Sequence, residues 1–431
     1  MIVRMTASEG TEPQAGFTDR DEGRPATESV GERLLGALLD RVHLIAPRLA
    51  GQLIAQEARI AGATDVSIHL QDLEQLTLRP LPGPGLVGDP LPIDDSVAGR
   101  AFSTEESVEE PLADGSVRLH LPLLDGSNRV GVLGFTLPRL TDYDRQLAQR
   151  LAGLVADMIV TNDSYTDAFT RVRTAGPLSL SAHMQWQLLP PLSMSTPVLD
   201  LSGSLEPAYE VGGDSFDYAF NEHVLHVAVF DAMGHGLEAA TMATVIIAAY
   251  RNGRLADLPL TELYPAMDQA VATSFPGRFA TAQLGRLDTE TGILSWVNAG
   301  HPPALWVRGS RVMGELTGPV SRPVGFGAGT PIVQTAQLEP GDRVLFFTDG
   351  VVEERLPDGE QFGEERLREL IEQTTAADLT CAESVRRLSH ALMAARSGRT
   401  SDDASLLLLE WKGPSRYDEL DRDIPEATPT G

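Results

Sequence analysis

At 431 residues the chain exceeds what one hydrophobic core usually organises, so two domains with tails are expected, and 42% hydrophobic residues are enough for both to fold. A formal net charge of -27 excludes the basic footprint that nucleic acid or an anionic membrane surface would need. A single cysteine, Cys381, excludes an intrachain disulfide framework and any zinc site built from several thiolates; residues 1–14 lack a signal-peptide pattern and no apolar run nears the ~18 residues of a membrane span, so a cytoplasmic location is expected.

Residues 7–30 and 413–431 carry almost no large apolar side chains and cannot bury enough surface to offset their ordering entropy, so tails over 1–30 and 413–431 are expected to be disordered. Between Glu32 and Ala61, Leu34, Leu35, Leu38, Leu39, Val42, Ile45, Leu49, Leu53 and Ile54 recur at three- and four-residue spacing, the pattern of an amphipathic helix interrupted near Pro47. Strand-like runs follow at Asp65–Leu70, Leu76–Pro80, Val117–Leu124 and Arg129–Leu137, the last two joined by the hairpin signal Asp125-Gly126-Ser127-Asn128. A helix is predicted over Asp142–Thr161, with Leu147, Leu151, Leu154, Val155, Met158 and Ile159 on one face.

Ser96-Val97-Ala98-Gly99-Arg100-Ala101-Phe102, the closing Val130-Gly131-Val132-Leu133-Gly134-Phe135 strand and the helix after it resemble a GAF sensory domain, which assigns residues 31–162 to an α/β sensor module. The resemblance implies a small-molecule or protein signal, or a dimerisation role, without naming a ligand. No cysteine is available there to attach a bilin, and His43, His69 and His120 lack metal-ligand spacing and read as ordinary packed or surface side chains. The long helix is expected to continue through Tyr165, Phe169 and Val172 up to Pro177, and a second helical stretch covers Leu178–Leu189. Residues 163–197 thus read as a helical linker, either a signalling helix paired across a homodimer or the last piece of the first core.

From Val198 to Lys412 strands alternate with turns. Helices are predicted at Leu237–Asn252, Pro259–Phe275, Glu364–Gln373 and Cys381–Ala395, a hairpin at Thr281–Asn298 and a further strand at Ala304–Arg308, an order that two sheets sandwiched by helices accommodate. Asp214, Asp231, Asp349 and Asp402 each sit where a strand-like run meets a turn. Carboxylates brought to one rim repel and raise one another's pKa unless a cation lies between them, so the pattern points to hard divalent ions with oxygen ligands.

Five motifs carry the chemistry: Glu210-Val211-Gly212-Gly213-Asp214, Phe230-Asp231-Ala232-Met233-Gly234-His235-Gly236, Asn298-Ala299-Gly300-His301-Pro302-Pro303, Thr348-Asp349-Gly350 with Phe362-Gly363-Glu364, and Ser401-Asp402-Asp403. In this order they closely resemble the SpoIIE/RsbU-type bacterial branch of the protein phosphatase 2C superfamily over residues 198–411. The resemblance implies an α-β-β-α sandwich and two Mn2+ or Mg2+ ions, held by Asp214, Asp231, Asp349, Asp402 and the backbone carbonyl of Ala232. A metal-activated water would then hydrolyse phosphoserine or phosphothreonine. It also implies a phosphorylated STAS-type anti-sigma-factor antagonist as the substrate, in a partner-switching pathway.

Gly212, Gly213, Gly234 and Gly236 read as residues that place ligands. His235 reads as a hydrogen-bonded turn residue ahead of a general acid, His301 as a loop anchor, and Asp403 as a local hydrogen-bonding partner beside the ligand Asp402. Departures are small: Ser215-Phe216 stand where Phe-Tyr is usual, and Asp402-Asp403-Ala404-Ser405 replaces Asp-Asp-Ile-Thr. The branch lacks the phosphate-clamping arginine of its eukaryotic relatives, and no residue of the sequence by itself supplies one. A catalytically silent sensor that binds antagonist or anti-sigma proteins is the alternative of a different class, and a hydrolase of small phosphate esters ranks third.

Overall fold

The computed structural model describes residues 29–126, 128–209, 212–327, 329–356, 360–395 and 403–414. Most of the two tails expected to lack structure lies outside these residues, but Ser29 caps and Val30 begins a helix. Helix α1 (Val30–Val42) opens on a reciprocal capping box: the Glu32 carboxylate accepts from Ser29 N, and the Ser29 hydroxyl accepts from Glu32 N. Pro47 starts a single 3-10 turn ahead of α2 (Ala50–Ile60), which is the interruption expected from the sequence.

The first sheet takes β1 (Thr64–Gln71), β2 (Thr77–Pro80) and β3 (Leu91–Pro92), then, after α3 (Val97–Thr104), β4 (Val108–Pro111), β5 (Val117–Asp125) and β6 (Asn128–Leu137). Its order is β3-β2-β1-β6-β5-β4, every neighbour antiparallel. Strand alternation decides its two faces. Leu133, Leu121 and Ile68 pack with Leu38, Ile54 and Val155 under α1, α2 and α4 (Asp142–Asp163), whereas Val132 and Leu78 pack on Phe102 of α3. His69 and His120 are buried on this sheet and bonded to the Asp89 carbonyl and the Glu110 carboxylate.

The long helix does not run on to Pro177. It stops at Asp163, where the run Asn162-Asp163-Ser164 offers side chains that compete for backbone groups; Asn162 Nδ2 donates to the Met158 carbonyl. A separate α5 (Ala168–Arg173) inserts Phe169 into the first core. Then α6 (Leu180–Leu188) begins on Ser179, whose hydroxyl accepts from Ala182 N.

The second half continues with β7 (Ser193–Ser195), β8 (Leu199–Glu206), β9 (Asp214–Asn221) and β10 (Val224–Ala232), then α7 (Gly236–Leu255) and α8 (Leu260–Ser274). Five strands follow, β11 (Ala280–Asp288), β12 (Ile293–Ala299), β13 (Leu305–Arg308), β14 (Arg311–Glu315) and β15 (Gln334–Gln337). The chain then forms β16 (Asp342–Phe347), α9 (Asp349–Glu353), α10 (Gly363–Ala376), α11 (Cys381–Ala395) and β17 (Ala404–Trp411). One sheet runs β15-β12-β11-β10-β9, the other β14-β13-β16-β17-β8-β7. Leu201, Phe216, Val227, Leu294, Phe346 and Leu407 fill the space between them; α7 and α8 cover the outer face of the first, α10 and α11 that of the second. This is the α-β-β-α sandwich expected, in a mixed α/β chain.

The two halves meet through buried charge. Arg129 of β6 donates to Glu383 (3.3 Å) and to the Ala382 carbonyl (3.0 Å) at the start of α11. Arg386 bridges Glu383 (2.8 Å) and Asp94 (2.5 Å), and His390 Nε2 lies 3.1 Å from the Glu74 carbonyl. The Arg129, Glu383 and Arg386 side chains are at most 4% exposed, which is tolerable only because each is paired. Among the described residues no helix is long and apolar enough to cross a membrane.

Candidate active site

Four chain segments reach one rim of the sandwich. In the β9–β10 pairing Asp214 stands directly opposite Asp231, which places both side chains on the same face at roughly 5 Å between Cβ atoms. From the other sheet, β16 ends at Phe347 and is followed by Thr348 and Asp349, and β17 starts just after Asp403, its Leu406 opposite Phe347. The sheets are tied together here: Asp403 Oδ2 accepts from Gly212 N (2.5 Å) and Gly213 N (2.7 Å). Two glycines permit the close approach, since a side chain at Gly213 would strike the Ala232 carbonyl and one at Gly350 the Asp403 carbonyl. Thr348 completes the knot, its hydroxyl donating to Asp214 Oδ2 (2.5 Å) and accepting from Ser405 N (2.8 Å).

Asp214 is 3% exposed, and its carboxyl is pushed well above the usual carboxylate range. Burial is the main cause, followed by the charges of Asp231 and Asp403, with Asp349 adding to them; only the Thr348 hydroxyl pulls the other way. The carboxylates are therefore near enough to feel one another, although among the described residues no three acidic, imidazole or thiol side chains close into a metal-sized cage. Asp402 lies outside the described residues. Asp403, set aside in the sequence as a local hydrogen-bonding partner, makes those bonds and also contributes charge to the rim. A buried aspartate raised by three like charges, beside a backbone carbonyl, is a hard-oxygen donor set of the kind that suits Mn2+ or Mg2+.

The histidines divide. His301 is buried, its backbone N–H and C=O bonded by the Asn298 amide and its Nδ1 2.7 Å from Thr281 Oγ1; burial pushes it down to about 4, so it is a neutral loop anchor. His235 is exposed at the N-cap of α7 and makes no side-chain cap bond, so the turn is not held by its imidazole. Its flanking glycines take positive φ, +99° at Gly234 and +72° at Gly236.

Two contacts were not singled out from the sequence. Thr348 was legible only as part of a motif, its Asp214 partner lying 134 positions away. Gln185 of α6 is fully buried and donates its amide to the Asp214 backbone carbonyl (2.6 Å), so the linker touches the site itself.

The α-β-β-α sandwich with acidic side chains at one rim is the architecture that the motif resemblance implies. Residues 221–412 match the family model described as Stage II sporulation protein E (SpoIIE). Phosphoserine phosphatase RsbP of Bacillus subtilis is 25% identical over 172 residues, which is 37% of this chain and 42% of that protein. Phosphoserine phosphatase RsbU of the same organism is 25% identical over 249 residues, 54% of this chain and 70% of RsbU. A solved structure of the RsbU and RsbW domains of Rv1364c from Mycobacterium tuberculosis is 26% identical, covering 53% of this chain and 64% of that one, at a TM-score of 0.45. The chain thus spans under half the length of RsbP.

Proposed function

We propose that the protein is a metal-dependent serine/threonine phosphoprotein phosphatase, with two Mn2+ or Mg2+ ions held by Asp214, Asp231, Asp349, Asp402 and the Ala232 carbonyl. The observation that carries this reading is the rim where both sheets end: Asp214 stands opposite Asp231, and Asp403 and the Thr348 hydroxyl tie the ends of the second sheet to them. When bound, such ions supply a water acidic enough to give hydroxide near neutral pH and neutralise charge on the phosphoryl oxygens. The chain's own part is preorganisation. Thr348 fixes one oxygen of Asp214, Gln185 holds its backbone, and Asp403 pins the Gly212–Gly213 turn against Ala232.

RsbP and RsbU are named phosphoserine phosphatases, which supports a phosphoserine or phosphothreonine substrate. We assign that residue to a STAS-type anti-sigma-factor antagonist in a cytoplasmic partner-switching pathway. Residues 31–162 act as a GAF-like sensor, 163–197 as the connector of a homodimer and 198–412 as the catalytic domain. The test is Mn2+-dependent hydrolysis of para-nitrophenyl phosphate and of a phosphoserine protein, lost in Asp214→Asn and Asp349→Ala. The silent-scaffold alternative draws on the absence of a closed donor cage among the described residues. It wins if metal-loaded protein is inert on both substrates yet binds an antagonist protein, whereas faster turnover of free nucleotides would replace both readings.

A further inference from the structure

A phosphoryl dianion approaching a rim of carboxylates is helped by a cation from the chain beside any bound metal, and the sheet edge that carries Asp231 offers one. Strands β10 and β11 pair as far as Asp231 opposite Thr281 and Ala232 opposite Ala280, and one further bond, Met233 N to the Phe279 carbonyl (3.1 Å), extends the ladder. The next residue on that edge is Arg278, whose Nη1 lies 3.9 Å from the point a Cβ on Gly234 would occupy. Resting on the phosphatase reading above, we propose that Arg278 is the substrate-binding residue that takes hold of the phosphoryl oxygens, parked on Glu238 when no substrate is present.

The local sequence is built to present this side chain. Phe275-Pro276-Gly277-Arg278 closes a turn with Arg278 N bonded to the Phe275 carbonyl (3.0 Å) and Gly277 at φ +79°; proline second and glycine third is the type II arrangement. Behind the turn Phe279 stacks on Phe326 with ring centroids 4.6 Å apart, and Gly325, tied to Asp268 by a 2.7 Å bond, lies against the Arg278 carbonyl. The backbone is thus fixed while the guanidinium stays free to move, 36% exposed and paired at 2.9 Å with Glu238, itself 64% exposed. An exposed pair of this kind is weak and exchanges readily. A guanidinium fork matches two phosphate oxygens at once, and a dianion competes well against one carboxylate.

Kinetics on a phosphoserine peptide, together with calorimetric titration of inorganic phosphate into Mn2+-loaded full-length protein, test the assignment. Arg278→Ala should raise KM by roughly 10–100-fold with kcat within about threefold, and weaken phosphate binding by a similar factor. Arg278→Lys should recover part of that loss, while Glu238→Gln should lower KM by about twofold, a sign that a merely structural pair would not give. Unchanged KM and phosphate affinity in Arg278→Ala overturn the assignment. Phosphate binding is read without turnover, so an inert protein whose phosphate affinity still falls in Arg278→Ala fells the phosphatase reading alone.

Discussion

Asp214 and Asp342 are both aspartates of the sandwich, 3% and 1% exposed, and they behave in opposite ways. Asp342, at the start of β16, receives Arg308 through Nε and Nη2 (2.8 Å each), Trp306 Nε1 (3.1 Å) and Glu339 N (2.7 Å). Burial pushes its carboxyl up, but Arg308 and the other donors outweigh that and hold it below the usual range. Asp214 is also buried but has like charges for neighbours, and burial and those charges together push it well up. Low exposure alone therefore does not distinguish the two carboxylates; the charges set around them have opposite sign. A fold gathers like charge at one rim where something other than stability is being selected.

The comparison breaks most visibly if both aspartates are replaced by asparagine. Asp214→Asn should cost on the order of 10³-fold in Mn2+-dependent turnover while making the metal-free protein more resistant to urea. Asp342→Asn should leave turnover nearly intact but lower the melting temperature, because Arg308, Trp306 Nε1 and Glu339 N lose the carboxylate they share. The pH dependences should also be opposite. The Asp342 contribution is present above the unfolded value of ~3.9 and lost as pH falls through its lowered folded value. In chelator-treated protein, Asp214 instead withdraws stability as pH rises above ~3.9, and thermal melting from pH 3 to 8 separates the two variants.

Metal sharpens the contrast. Mn2+ at a hundred times its dissociation constant should stabilise the native protein by about 2.7 kcal/mol and Asp214→Asn by far less, read from melting curves with and without the ion. Thr348→Ala should lower turnover by roughly 10–100-fold while Thr348→Ser, which keeps the hydroxyl, should stay near native in the same assay. The smallest effect belongs to Gln185→Ala, a loss of about threefold to tenfold that a pH-independent fall in kcat would register.

What the sequence conveyed depended on whether a signal was local. The interruption at Pro47, the β5–β6 hairpin and the bounds of α11 follow from turn residues and apolar period, and the structure places them where those signals lie. Short strands such as β3, β4, β7 and β15 have two to four residues, too few for alternation to register. The break at Asp163 was missed because Leu154, Val155, Met158 and Ile159 carry a helical stripe up to it, while the competing side chains of Asn162, Asp163 and Ser164 leave no periodic mark. At the rim, strand-end aspartates were legible as a group, whereas the hydroxyl of Thr348 and the amide of Gln185 acquire meaning only from partners 134 and 29 positions away.

The Gln185 contact also bears on how the molecule can be dissected. A piece starting at residue 198 would discard α6, so the Asp214 carbonyl would lose its amide donor, and it would lay bare Glu383 and Arg386, which β6 and Asp94 otherwise cover. Low turnover from such a truncation would report damage at both cut faces, and would wrongly credit the upstream half with an activating role. A trimmed protein retaining Ser179 onward, with Glu383→Gln to quiet the uncovered patch, is the fairer reference.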